Sequence, residues 1–519
     1  MFRANKKHEQ VKMFGFLNTL PENMVREILD SEEYAFYELV FRNIDESSYR
    51  PLYSEIDSRP NAPVNCLVAA LILKHKKNWS FVELCSSIKF NLLIKVALGL
   101  DEISDVPFDE STLFNFQNRL CGYEISSDIN LMEQTFDQLT ATQIKQLGLK
   151  TNIQRTDSIM ASSNIRSYSR LQLLIEVLLR FWKILDESDR DLYREKFSSY
   201  SNKTSGQYLY KIKPNSVLSE IEKIAGIYHF CKTNILPKYQ DTEFAKIFER
   251  VYTEHFTIVE SKIKVIDSND LGSDSLQSPD DIDATFRKKR GENYQGQVIN
   301  AVETASPENP LNLINDVAVA PNNTDDAQIL GERFDGIVKK TPELEEMHSD
   351  GAYGNADNDK KFEKANIDQI QTAIRGKKSE VPFEISEKSN NQLQVKCPLQ
   401  VAIAEFSDDK YRAIFNKEIC QSCQYAECCQ SRERKKDRIY IFIYDDYLRN
   451  KRINKALNLS PELRKIRTNV EATMKEFAIR MKNHKLKVRG AFKTKLFAYS
   501  TAIAINFGRI FRYLQPETV

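Results

Sequence analysis

From residue 16 to about 145, apolar residues recur at helical spacing and glycine is scarce, which predicts a helical region. Pro63 opens an apolar run, 64–74, that reads as a buried helix. Ser80 and Glu83 fit a capping box at the head of the next helix. A loop containing Pro107 leads to an amide-rich helix over 109–120. The pattern then changes to polar–apolar alternation over 151–158, a strand with Asp157 at its end. Helical spacing returns from 168 to 263, with Leu171, Leu174, Val177, Leu178 and Phe181 on one face. Strand signals follow at 297–304 and 313–320, joined by a loop with two prolines and two asparagines. A helix over 325–340, a short extended piece 346–349 leading to Asp350, a helix over 356–364 and a strand over 367–374 come next. Strands alternating with helices in this order predict a mixed α/β sheet. A cysteine-bearing segment, 377–446, interrupts the pattern. The last helical stretch starts at Ser460 as N-cap with Pro461 at the first helical position. Its buried stripe is Leu463, Ile466, Val470, Met474, Phe477 and Met481, and Arg467, Glu471 and Lys475 share a neighbouring face.

A length of 519 residues predicts two or three domains. The 41% hydrophobic and 28% charged fractions fit a soluble globular protein. The longest apolar runs, such as 67–73, fall far short of a membrane span, and the first residues contain no apolar signal region. A cytoplasmic location is expected. No repeat of solenoid period is present.

The net charge is only +1, yet its distribution is uneven. Residues 431–512 contain 22 Lys and Arg against 7 Asp and Glu, whereas 266–283 holds six Asp and no Lys or Arg. Such asymmetry points to a polyanion-binding end, with Lys475, Lys482, Lys485, Lys487 and Arg489 as candidate phosphate contacts. The succession of short helices before residue 120 fits a helix-turn-helix module whose polar last helix carries Asn115, Gln117 and Arg119 for base edges. A plain helical bundle is the alternative.

Asp157, Asp350 and Glu471 are the candidate catalytic carboxylates and ligands of Mg²⁺ or Mn²⁺. Asp350 precedes Gly351, which permits a sharp exit from a strand. Taken singly, each has a bland reading: a strand-end turn residue, a loop aspartate, and one rung of an i,i+4 charge ladder with Arg467 and Lys475. Two hard cations held on carboxylate oxygens can activate the attacking oxygen and stabilise the leaving one in phosphodiester cleavage. Arg467, one helical turn before Glu471, is placed to orient it or to hold a phosphate. Cys397, Cys420 and Cys423 with Cys428 or Cys429 can supply four thiolates to a structural zinc; the alternative is a set of reduced, metal-free thiols. Ser158 has no paired His and oxyanion-hole motif, no Walker loop is present, and His348, Trp79 and Trp182 read as packing residues.

The motifs Thr156-Asp157-Ser158, Ser278 to Ala284, Lys288 to Gly296, Ser349-Asp350-Gly351-Ala352-Tyr353-Gly354, Arg467 with Glu471, Arg489 to Phe492 and Ala504 to Arg509 occur in one order and spacing. In these the chain resembles bacterial insertion-sequence transposases of the DDE type. Within them it resembles a subgroup with a helical N-terminal domain and a cysteine-bearing insertion before the catalytic glutamate. The resemblance spans about residues 50 to 513. It implies an α/β catalytic domain with a ribonuclease-H-like mixed sheet over 146–519, interrupted by a helical insertion at 168–265 and the small cysteine-bearing insertion at 377–446. The all-helical N-terminal domain, 1–145, is then DNA-binding. The implied activity is metal-dependent cleavage of the terminal inverted repeats and their transfer to a target. The implied partners are double-stranded DNA (element ends and target) and a second copy of the chain on that DNA. A repurposed, inactive DNA-binding descendant and a host nuclease of the same fold are the rival readings. The family pattern often has Tyr three residues before the arginine and Lys seven after the glutamate; this chain has Arg464 and Ala478 there.

Overall fold

The computed structural model describes residues 1–10, 15–56, 59–374, 381, 383–388 and 392–515. The region before residue 147 is helical, as its spacing predicts. The Ser80 hydroxyl accepts from Glu83 N, and the Glu83 carboxylate accepts from Ser80 N at 2.6 Å, which completes the capping box. The helix Val64–Lys76 is buried along nearly its whole length.

The strands are β1 (Ile153–Ser162), β2 (Phe256–Val259), β3 (Lys262–Val265), β4 (Thr285–Lys289), β5 (Glu292–Thr304), β6 (Ile314–Pro321), β7 (Glu346–Ser349), β8 (Asp368–Gln371), β9 (Glu384–Lys388), β10 (Gln392–Lys396), β11 (Val401–Ser407), β12 (Lys410–Asn416), β13 (Arg432–Glu433) and β14 (Asp437–Phe442). The main sheet runs β4-β5-β1-β7-β8, with β6 also paired to β5. Pairing is antiparallel between β4 and β5, β5 and β6, and β5 and β1, and parallel from β1 to β7 and β7 to β8. The mixed α/β sheet is therefore as expected, with β4 as a strand that the sequence reading did not assign.

The helices Asp326–Lys340 and Ala356–Ala365 contribute Leu330, Phe334, Ile337 and Phe362 to a core with Val302 and Met347. Another core unites Ile159, Ala161, Ile299 and Ile314 of the sheet with Val470, Met474, Phe477, the final helix Ala491–Leu514 and the N-terminal helices. That final helix is buried on almost every side, as its near-continuous apolar sequence requires. The N-terminal helices are thus packed into the same core that carries the sheet, and their position relative to it is fixed by packing.

The inserted helices, Arg170–Ile184 through Glu243–His255, have their own core, which includes Leu171, Leu174, Val177, Leu178 and Phe181. The structure departs from the sequence reading in two places here and supplies a third element that it left open. The helical insertion ends in an antiparallel ribbon, β2–β3, because the β-branched and aromatic 256–265 segment alternates rather than following helical spacing. The cysteine-bearing segment, whose expected start at 377 lies outside the described residues, is a six-stranded sheet ordered β13-β14-β12-β11-β10-β9 with its own core. The C-terminal stretch is not one helix. It divides into Pro461–Thr468, Val470–Ala478 and Ala491–Leu514, and residues 482–488 lie along the end of β1 instead. There Ser162 N donates to the His484 carbonyl at 2.7 Å and Leu486 N to the Ser162 carbonyl at 2.8 Å.

Gly296 sits at a close backbone approach in the main sheet. It pairs with Ser162 at the end of β1, and its φ is +155°. A Cβ there would lie 2.4 Å from the Ala161 carbonyl oxygen and 2.6 Å from Ser163 N, both backbone atoms that cannot swing aside. Gly296→Ala is expected to cost about 2–4 kcal/mol, since large losses come from this kind of backbone strain. Urea denaturation of the two proteins checks it, and equal midpoints would show that the hairpin opens without cost.

Candidate active site

Asp157 does not end its strand. It lies in the middle of β1, which continues to Ser162 against β5. The strand end that the sequence suggested belongs to its other edge, where parallel pairing with β7 stops at Arg155 opposite His348. Carried two residues further, the same register sets Asp157 beside Asp350, the first residue after β7. Two adjacent parallel strands thus deliver the two aspartates side by side. Asp350 caps the short helical turn Gly351–Tyr353, its carboxylate accepting from Ala352 N at 2.8 Å. Glu471 is in the first turn of Val470–Ala478; the Ser460 cap is as expected, and the apolar stripe is buried from Val470 to Met481 but only half-buried at Leu463 and Ile466.

The three carboxylates meet on one guanidinium. Arg467 donates from Nη2 to Asp157 Oδ2 at 2.9 Å and from Nη1 to Glu471 Oε1 at 2.8 Å, and Nη2 lies 3.9 Å from Asp350 Oδ2. Side-chain exposure rises from 15% at Asp157 through 38% at Asp350 to 53% at Glu471, so the group opens outward on the glutamate side. Burial pushes the Asp157 carboxyl above its usual range; Arg467 and the hydrogen bond from Ser158 N oppose it, and Lys289 also acts on it as a favourable charge. Lys289 is a cation that the sequence reading did not single out.

Beneath the trio lies a buried ion network that the sequence reading also missed. Arg155 precedes Asp157 by two residues on the strand, so both face the Glu471 helix. Arg155 Nε donates to Glu303 Oε1 at 2.7 Å, directly across β1–β5, and Nη1 donates to the Ile466 carbonyl at 3.0 Å. Arg509 donates to Glu303 Oε2 at 2.7 Å, and the Thr473 hydroxyl donates to the same oxygen at 2.6 Å. The capture of the Ile466 carbonyl falls next to the interruption at Asn469, where insertion of a side chain into the helix ladder bends a helix. The strand period of two was the signal that could have found Arg155.

On the opposite face Ser158 donates from Oγ to Asp326 Oδ1 at 2.5 Å, and Asn300 Nδ2 donates to the Tyr353 hydroxyl at 2.7 Å. These contacts fix β1 against the helix Asp326–Lys340 and the turn after Asp350. His348 is fully buried and bonded to Glu346 at 3.0 Å, a packing role as read.

The three carboxylates match magnesium in chemistry, being hard oxygen donors on three separate elements. Their present spacing is set by Arg467. Among the described residues no group of three or more His, Cys, Asp or Glu is gathered closely enough to hold a metal ion. The guanidinium itself fills the space between them.

The expected zinc ligands form no such group either. Cys397, Cys420, Cys423 and Cys429 line one small cavity with Phe415 and Arg438. Gln400 donates to Cys397 Sγ at 3.3 Å and to Cys420 Sγ at 3.2 Å, and Cys429 Sγ meets Ser431 Oγ at 3.1 Å. Cys428 is exposed, 3.6 Å from the Tyr425 carbonyl. Burial raises the Cys420 thiol above its ordinary value.

The candidate DNA contacts divide. Asn115 and Arg119 are exposed on the helix Glu110–Ser127 and line a hollow of about 1090 Å³ with Lys89 and Arg59; Arg119 stacks on Tyr53 at 5.1 Å. Gln117 is buried in the same helix and bonded to the Leu113 carbonyl, because its position falls on the core side of the helical period. Lys475 and Lys482 are exposed. Lys485 donates to the Ile165 carbonyl at 2.8 Å, Lys487 to the Asn78 carbonyl at 2.7 Å, and Arg489 lies 3.5 Å from Asp280.

Two families match the chain. The transposase domain (DUF772) family matches residues 24–119, and the transposase DDE domain family matches 395–511, which includes Glu471 and Arg467. Together they support an insertion-sequence DDE transposase. No curated protein and no solved structure matches the chain. None of the described helices is long and apolar enough to cross a membrane.

Proposed function

We propose that this chain is a DNA transposase of ribonuclease-H-like fold that binds the inverted ends of its element, cleaves them and joins them to a target. The observation that carries the reading is the meeting of Asp157, Asp350 and Glu471, from two adjacent strands and a packed helix, on the Arg467 guanidinium. The central place of β1, with an antiparallel neighbour on one side and a parallel one on the other, supports the fold assignment. The two family matches support transposition as the process.

Asp157, Asp350 and Glu471 would hold Mg²⁺ or Mn²⁺. The metal, when bound, supplies Lewis-acid activation of the attacking oxygen and neutralises charge at the leaving one. The chain's own part is positioning. Arg467 holds three like charges together, and its planar donor fork suits a phosphate as well as a carboxylate. The network under it keeps the Glu471 helix in register with β1. Asn115 and Arg119 are exposed on their helix, where they would meet base edges, while Lys475 and Lys482 lie beyond the glutamate on the exposed side. Two DNA ends handled together imply a homodimer on DNA, in the cytoplasm.

The test is incubation with duplex DNA bearing the inverted repeats that flank the gene, Mg²⁺ and a target plasmid. Cleavage at the repeat ends followed by joined products is the expected result. Cleavage without joining would reduce the protein to a nuclease, and intact DNA with Mg²⁺ and with Mn²⁺ would remove the enzymatic reading.

A further inference from the structure

A second cationic cluster lies at the seam between the N-terminal helices and the segment that follows the Glu471 helix. Lys74, near the end of Val64–Lys76, is only 4% exposed. Among the described residues no carboxylate, hydroxyl or carbonyl meets its ammonium; that group sits over the Phe81 ring, 4.5 Å from its centre. Lys487 reaches the turn after the same helix and donates to the Asn78 carbonyl at 2.7 Å. Arg480 donates to the Glu476 carbonyl, and its buried Nε has no partner. His75, buried edge-on against Phe497 at 5.3 Å, feels Lys74, Arg480 and Lys487 as like charges. Burial, and then Lys487, push the Lys74 ammonium down to about 8.

The acids in reach are already committed. Glu83 closes the capping box on Ser80 N at 2.6 Å. Glu476 is held by Arg509 at 2.5 Å. A nearly buried ammonium among like charges and without a counter-ion works against stability in the free protein. Such an arrangement is satisfied when an anion enters. The seam also joins the candidate base-reading helix to the carboxylates. Phe81, under Lys74, packs at a tilt against Phe114 with ring centres 4.7 Å apart, and Phe114 precedes Asn115 on the helix that also carries Arg119.

We propose that Lys74, Arg480 and Lys487 form a phosphate site that takes one backbone phosphate of DNA passing from the N-terminal helices to the three carboxylates. This rests on the reading of the chain as a DNA-processing enzyme. A shared core fixes both sides of the seam, so the phosphate also sets the distance between the sequence read and the bond cut.

The experiment is an anisotropy titration of labelled duplex DNA by the full chain without divalent metal, at several salt concentrations. Lys74→Met is expected to weaken binding about tenfold near 0.1 M salt and to lower the log–log salt slope by about 0.9, the loss of one phosphate contact. Lys74→Arg should bind as the parent does, and Lys487→Ala, an exposed change that leaves the fold intact, should move in the same direction as Lys74→Met. Wild-type affinity and slope in Lys74→Met, or in Lys487→Ala should the first variant not fold, overturn the proposal. Loss of thermal stabilisation by inorganic phosphate with DNA binding intact would assign the site to free phosphate and overturn it equally. A parent protein that binds no duplex at any salt would instead remove the proposed function itself.

Discussion

Asp157→Asn is expected to lower DNA cleavage by several orders of magnitude while leaving fold and DNA affinity close to those of the parent. The change keeps the size and hydrogen-bonding reach of the side chain but removes its charge. Of the three carboxylates Asp157 is the most buried and the one in contact with Arg467 Nη2 at 2.9 Å, so no neighbour can take its place. A divalent site built on three carboxylates loses one of its charged ligands, and the electrostatic stabilisation it gives is a large part of the rate. Stability should change little, because Arg467 keeps Glu471 at 2.8 Å. Gel shifts measure binding and a cleavage time course with Mg²⁺ measures rate, on one preparation. Cleavage at the parent rate would remove Asp157 from the chemistry. A fall in cleavage matched by an equal fall in binding would make it a DNA contact instead.

The parts of this molecule that were legible in the sequence are those governed by local period and caps. The helices before residue 147, the Ser80 and Ser460 caps, the apolar stripe from Val470 to Met481 and the β5–β6 hairpin each express their structure over a few residues. The β1–β7 neighbourhood is different. Asp157 and Asp350 meet because two strands 193 residues apart share a parallel register, which no local pattern encodes. The six-stranded sheet of the cysteine-bearing segment was hidden for a related reason. Its strands are short, and Val401, Ile403 and Ile414 leave apolar side chains exposed, so alternation does not separate inside from outside. The cysteine spacing did foreshadow a shared place, since Cys397, Cys420, Cys423 and Cys429 line one cavity, where Gln400 bonds the sulfurs of Cys397 and Cys420 and Ser431 meets that of Cys429. The sequence sets Gln117 with Asn115 and Arg119 because an amide-rich run hides which face of a helix turns inward, whereas the structure buries it. Arg155, Glu303 and Arg509 escaped notice because nothing in the sequence marks a charge as buried until its partners arrive from three elements.

Those three residues give the second large effect. Glu303 has no exposed surface and lies between Arg155 and Arg509, each at 2.7 Å. Glu303→Gln would leave Arg155 without a carboxylate and Arg509 with only Glu476. Removing one partner of a buried ion pair strands the other, at a cost of about 3–5 kcal/mol. Burial by itself would raise the Glu303 carboxyl, but Arg509 and Arg155 outweigh it and hold it below its ordinary 4.5. A carboxyl lowered in the folded state contributes stability that is complete above the unfolded value and lost as pH falls below it. The deficit of Glu303→Gln should therefore be full at pH 7 and shrink as pH drops below 4.5. Urea denaturation at pH 7 and near pH 4 reads both. An equal midpoint at pH 7, or a deficit that grows in acid, would show that the network contributes nothing through its charge. Stability and positioning can then be separated with an apolar triple change, Arg155→Met, Glu303→Leu and Arg509→Met. Well-packed apolar groups can replace a buried ion network without loss of stability. The hydrogen bonds from Arg155 to the Ile466 carbonyl and from Thr473 to Glu303 would still be gone, and with them the two ties that set the Glu471 helix against β1. A stable triple variant with weakened Mg²⁺ binding by calorimetry and slow cleavage is the expected outcome. One that binds metal and cuts as the parent does would make the network a structural filler with no part in placing Glu471.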